Sequence, residues 1–160
     1  MKARVIQSRF WDDEFVSECN IFTQHLYIYL LTSQYINISG VFQLPSKKIM
    51  MEASLTPEMF DSAKKELDEN DKVKFYKGWI YVKNAMKNNN YVKSTSNLNA
   101  YYNELLKIPS EVYKYFDIKK YAPVDTTVDT SVKTSPYTNK KQEIRIQELM
   151  NQLGKKVKSL

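Results

Sequence analysis

Few side chains in this chain of 160 residues are placed to do covalent chemistry. The one histidine is His25 and the one cysteine is Cys19. A catalytic histidine needs a nucleophile or carboxylate partner at a recognisable spacing, and none accompanies His25. It reads as a structural or surface histidine. A single cysteine builds neither a disulfide framework nor a zinc site, so Cys19 reads as a small buried hydrophobe. Asp12-Asp13-Glu14 would suit a divalent cation, but a helix N-terminus also favours clustered acids and is the preferred reading. The three glycines are isolated, so there is no glycine-rich phosphate loop. No enzyme, metal or cofactor is expected.

The chemistry that remains is electrostatic. Lys72, Lys74, Lys77 and Lys83 flank a short apolar ribbon, with Tyr76 among them. Lys47 and Lys48 precede it, and Ser62 and Lys65 lie between. Cations with an interleaved aromatic suit the phosphate backbone of double-stranded DNA, and these nine residues are the expected DNA-binding set. The competing account is a row of solvated lysines that keeps a hairpin edge from aggregating. Formal charge is +6 with a pI near 9.2. Residues 1–90 hold 12 Lys/Arg against 11 Asp/Glu, a net of +1, and residues 91–160 hold 12 against 7, a net of +5. The basic excess therefore lies towards the C-terminal end, as in a tail that adds nucleic-acid affinity.

The elements that must position these residues run from Leu44 to Val82. A short helix is predicted over Ser46–Ala53, then a turn at Ala53-Ser54-Leu55. Thr56 is an N-cap residue with Pro57 at the first helical position and Glu58 in the first turn. Phe60, Ala63 and Leu67 form one apolar stripe at helical spacing. Asn70 and Asp71 end it. Val73 and Phe75 then alternate with Lys72, Lys74 and Tyr76, Lys77-Gly78 turns, and Trp79-Ile80-Tyr81-Val82 returns. Helix, short turn, capped helix and hairpin describe a winged helix-turn-helix. The second helix holds five acids against Lys64 and Lys65, a net of −3 that phosphates would repel unless the acids point away.

Around this stretch, residues 2–10 read either as a strand pairing with the wing or as a basic arm. Trp11 is expected in the core. Asp12 or Asp13 caps a helix through Glu18, and Ile21–Gln34 is the most apolar helix. Asn37–Leu44 is a connecting strand or loop, and Asn84–Asn90 a turn-rich exit. Helices are expected over Asn97–Lys107 and from Pro109 through Phe116, packed on the winged helix or forming an appendage. Residues 122–139 are low-complexity and too poor in large apolar residues to fold, so they read as a flexible linker. Their four-residue repeat (Val124-Asp125-Thr126, Val128-Asp129-Thr130, Val132-Lys133-Thr134) reads either as slippage or as tandem binding sites in the gene, since four codons make about one turn of B-DNA. From Lys140 to Leu160 a basic amphipathic helix places Ile146, Leu149, Leu153 and Val157 on one stripe, an expected oligomerisation surface. No apolar run reaches the ~18 residues of a membrane span. The N-terminus lacks an apolar secretion segment. A cytoplasmic protein is expected.

The fold class is thus α+β, mainly α. A winged helix-turn-helix domain over 1–90 is followed by a helical extension over 91–121, the linker over 122–139 and the helix over 140–160. The runs RFWDDEFVSE, LYIYLLTSQYINISGVFQLPSKKIMMEASLT and KKELDENDKVKFYKGWIYVKN resemble the N-terminal winged-helix domain of replisome organisers. These are replication initiation proteins of phages and mobile elements, related to DnaD-like primosome proteins of Gram-positive bacteria. The resemblance covers about residues 3–90. It implies binding of origin DNA, self-association and help in recruiting a host helicase or helicase loader. Longer members carry a second, DnaD-like helical domain after a linker, whereas here a short helix follows the Thr/Asp segment. The alternative function is a winged-helix transcriptional regulator or a protein-interaction module.

Overall fold

Side-chain caps start the helices where the sequence supplies them. In this computed structural model, which describes Arg4, residues 6–83, Ala85, residues 95–118 and residues 140–158, Thr95, residues 140–143 and residues 157–158 are described by backbone alone. The Asp13 carboxylate accepts the Val16 N–H at 3.4 Å and opens α1, Glu14–Glu18. Asn20 accepts the N–H groups of Phe22 and Thr23 at 2.9 and 3.0 Å and opens α2, Ile21–Thr32. A second pair of helices follows: α3, Ser46–Glu52, and α4, Pro57–Glu69. Thr56 Oγ1 accepts the Met59 N–H at 3.3 Å, and Pro57 sits where its missing N–H costs nothing.

Two left-handed residues end these helices. Ser54 (φ 51°) follows α3, and the Leu55 N–H returns to Met50 O at 2.9 Å. Asp71 (φ 58°) follows α4. Its N–H bonds Asp68 O at 3.1 Å, and that of Lys72 bonds Leu67 O at 2.9 Å, a Schellman pair that satisfies carbonyls the helix would otherwise leave open. The chain reverses here into the hairpin.

Three strands form one antiparallel sheet: β1, Val41–Gln43; β2, Val73–Tyr76; and β3, Trp79–Val82, in the order β1-β3-β2. Tyr76 pairs with Trp79 and Val73 with Val82 across the hairpin, and Phe42 pairs with Ile80 on the other side. Lys77 and Gly78 at the turn both have positive φ (47° and 79°), the geometry whose twist matches the flanking strands. Gly40 (φ 75°) precedes β1, and a Cβ there would collide with the Val82 carbonyl. The backbone of β3 therefore approaches as close as only glycine permits. The third strand comes from Asn37–Leu44, and none of the described residues of 2–10 is in a strand. Within that early segment Ser8–Phe10 forms a single 3-10 turn, while residues 2, 3 and 5 lie outside the described residues.

The chain divides into two compact units, Met1–Val92 and Lys93–Leu160, and its class is α+β, mainly α. In the first unit Leu26, Leu30, Ile49, Phe60, Ala63, Leu67, Val73 and Ile80 are among the buried core. The helical stripe and the alternating strand meet there: Phe60 and Phe75 stack edge to face at 6.2 Å. Trp11 departs from expectation, with 55 % of its surface exposed. It lies just after the 3-10 turn and meets the Phe10 ring edge-on at 5.0 Å, and Phe10 in turn reaches Tyr27. Phe10 therefore occupies the inner position expected for the tryptophan. Trp79 is half-buried at the hairpin tip. Among the described residues no helix is long and apolar enough to cross a membrane.

In the second unit α5 spans Thr95–Lys107, α6 spans Ser110–Tyr115 and α7 spans Lys140–Lys158. Helix α7 packs along α5. Leu149 and Leu153 are buried, Ile146 is half-buried, and the Val157 side chain lies outside the described residues. The Lys156 ammonium donates to Leu106 O at 2.9 Å and to Ile108 O, capping the C-terminal end of α5. Leu149 and Leu153 are already covered within the chain, because α5 offers an apolar face of its own with Tyr101, Tyr102 and Leu105 buried. The expected linker over 122–139, its repeat, and most of the 84–90 exit lie outside the described residues.

Candidate nucleic-acid interface

The nine expected DNA-binding residues fall into three groups. The first lies at the hairpin tip. The Lys77 ammonium stands 5.1 Å over the Tyr76 ring and is exposed at the turn. The Leu44 N–H bonds Gly78 O at 2.9 Å, so the end of β1 is tied to the same turn. Helix α3 starts two residues later, which brings exposed Lys47 to the tip's end of the unit. Lys47 makes no ion pair among the described residues. Lys48 beside it is held by Glu52 at 3.8 Å and lies 4.8 Å over the Tyr35 ring. Glu52 also accepts the Tyr29 and Tyr35 hydroxyls at 2.7 and 3.0 Å. The bond from Tyr29 and, after it, those from Tyr35 and the Lys48 charge hold the Glu52 pKa below the usual carboxylate range.

The second group lies at the base of the hairpin, where the lysines are paired with acids. Lys72 bridges to Asp13 at 3.1 Å and lies 4.9 Å over the Phe15 ring. Lys74 bridges to Asp68 at 3.1 Å and Asp71 at 3.5 Å, and donates to Asp68 O at 2.7 Å. Lys83, only 5 % exposed, pairs with the other oxygen of Asp71. Burial works against the Lys74 charge, but the hydrogen bond and charge of Asp68, and then of Asp71, outweigh it, so its pKa is raised. The chain Asp68–Lys74–Asp71–Lys83 welds the hairpin to the end of α4. The left-handed Asp71 aims its carboxylate between the two lysines.

The third group is the outer face of α4. Ser62 and Lys65 are exposed, as are Asp61 and Glu69, and Lys65 bridges to Glu69 at 3.8 Å. The other acids are turned to structural use. Glu66 faces α2, accepting from Asn20 Nδ2 at 2.6 Å and from the Thr23 hydroxyl. Glu58 stays in the first turn, its carboxylate pKa held low by the backbone N–H there and then by Thr56. The face left on α4 is of mixed sign. A crevice of about 380 Å³ lined by Glu14, Phe15, Glu18, Cys19, Glu66 and Asn70 adds the two carboxylates of α1 beside Glu66.

The residues weighed for covalent chemistry have structural positions. His25 Nε2 meets Ala53 O at 2.8 Å, tying α2 to the turn before α4. Cys19 is buried, its thiol donating to Val16 O at 3.5 Å; burial, and next the Glu66 charge, push its pKa up. Asp13 divides its carboxylate between the α1 cap and Lys72. What reading the lysines missed is their acidic partners. Asp71 and Lys74, three apart, were visible as a pair, but Asp13 and Lys72 are 59 residues apart in the chain. Comparisons with known protein families, with curated proteins and with solved structures find no match for this chain.

Proposed function

We propose that the first unit is a winged helix-turn-helix that binds double-stranded DNA, and that the protein is a replication initiation protein of a phage or mobile element. The observation that carries the DNA reading is the order of elements: helix α2, strand β1, the α3–turn–α4 pair, then the β2–β3 hairpin with β1 as its third strand. In such a module the capped second helix lies in a groove and the hairpin reaches the neighbouring backbone. Here α4 would present Ser62 and Lys65, and the hairpin tip Tyr76 and Lys77, with Lys47 alongside. The replication assignment rests on the resemblance of residues 3–90 to replisome organisers. Origin binding, self-association and contact with a host helicase or its loader follow from it. No catalytic role is part of the proposal.

A second reading has its own support. The face of α4 is of mixed sign, and the lysines at the hairpin base are paired with acids, which suits a protein-interaction module or a regulator that meets DNA weakly. One experiment separates the two. Fluorescence anisotropy would compare a labelled fragment from the gene's own neighbourhood with a random duplex at several salt concentrations. Preference for the native fragment supports the initiator. Equal, steeply salt-dependent binding leaves a non-specific DNA binder, and no binding at low salt removes the DNA reading.

A further inference from the structure

We propose that Asp68 and Asp71 are a built-in competitor of DNA phosphate for Lys74 at the base of the hairpin. The proposal rests on the DNA-binding reading of the first unit and concerns how that site is regulated. A phosphate held by a lysine places an anionic oxygen about 3 Å from the ammonium. Around Lys74 that place is filled twice, by Asp68 at 3.1 Å and Asp71 at 3.5 Å. The second oxygen of Asp71 is held by Lys83, which is buried and stays out of reach of phosphate. The acids come from the last turn of α4 and the residue after its cap, where the helix dipole disfavours negative charge. The lysines offset that cost, and the acids in turn occupy the cations.

Three features mark this as competition and not permanent burial. Both carboxylates keep about half their surface in solvent, Asp68 52 % and Asp71 53 %. Lys74 keeps 29 % of its side chain exposed, so its ammonium can turn outward. Pairs of this exposure are worth little individually, on the scale of one charge contact with a phosphate. DNA would therefore exchange one anion for another, and the wild-type protein would bind with less affinity and a shallower salt slope than its lysine count implies. Exposed Lys47 at the start of α3 lies outside this exchange.

The test uses the full chain and a labelled random DNA duplex. Asp68→Asn and Asp71→Asn each remove one competing charge; asparagine tolerates the left-handed backbone at position 71. Glu18→Gln removes the same charge from the exposed surface of α1, which carries none of the DNA-binding set. Circular dichroism melts establish that each variant is folded. D68N and D71N are each expected to tighten binding about two- to fivefold at low salt. Each should also steepen the slope of log K against log salt by up to about 0.9. E18Q should do neither. An equal gain in all three variants would mean a general charge effect and overturn the proposal. Wild-type binding that D68N and D71N leave unchanged would overturn the competition while the DNA reading stands. Absence of binding by every form would overturn both.

Discussion

Glu66 on α4 accepts hydrogen bonds from Asn20 and from the hydroxyl of Thr23, a side chain with no exposed surface at the first turn of α2. The two longest helices of the first unit are joined at that point by a carboxylate set against a helix N-terminus. Glu66→Ala should leave the Thr23 hydroxyl buried without its acceptor and cost about 1–3 kcal/mol. Glu66→Gln should lose less, since it keeps an acceptor oxygen. Urea denaturation of both variants checks the order, and equal losses would place the effect in packing alone.

Of the three aromatic residues expected in the core, Trp11, Phe60 and Trp79, the first two part company most clearly and Trp79 is half-buried. Phe60 is 3 % exposed and lies against Phe75, whereas Trp11 is largely in solvent. Phe60→Ala should cost about 3–5 kcal/mol, as a buried phenylalanine does. Trp11→Ala should fall well below that range. Thermal melts of the two variants, compared at one protein concentration, test the ranking.

Alkaline pH should weaken the second unit. Tyr101, Tyr102 and Tyr113 all have pKa values raised from the ordinary 10.0, chiefly by burial. A hydroxyl whose folded pKa is raised keeps its proton after the unfolded chain has lost it. The stability it contributes is therefore intact below pH 10 and falls as the pH rises beyond it. Absorbance titration should show these tyrosines ionising late and together with loss of helix. Tyr113→Phe should move the midpoint of that loss upward.

Removal of residues 139–160 should destabilise the second unit, because it uncovers the face of α5 on which α7 lies. Lys156→Met, which breaks the two bonds to Leu106 O and Ile108 O, should cost about 1–2 kcal/mol and speed protease cutting within α7. Analytical ultracentrifugation of the truncated chain should show more association than the intact one. A change in the opposite direction would return the stripe to the role of an intermolecular contact.

What the amino-acid order determined alone was whatever depends on neighbours within a few residues. Thr56-Pro57 starts α4, Asp13 starts α1, Asn70-Asp71 ends α4 and Lys77-Gly78 turns the hairpin, each through backbone groups close by in the chain. The spacing of Phe60, Ala63 and Leu67 likewise marked a face, because a helix repeats it geometrically. Only the tertiary structure decided what those faces and charges meet. Asp13 and Lys72 are brought together by folding from 59 positions apart, and so is Lys156 with Leu106, 50 apart. Phe10, and not Trp11, turned inward, since a single 3-10 turn has no periodicity to read in advance. The lysines of the hairpin were legible as charges. That three of them are already paired was not, because a charge carries no record of the partner that folding brings to it.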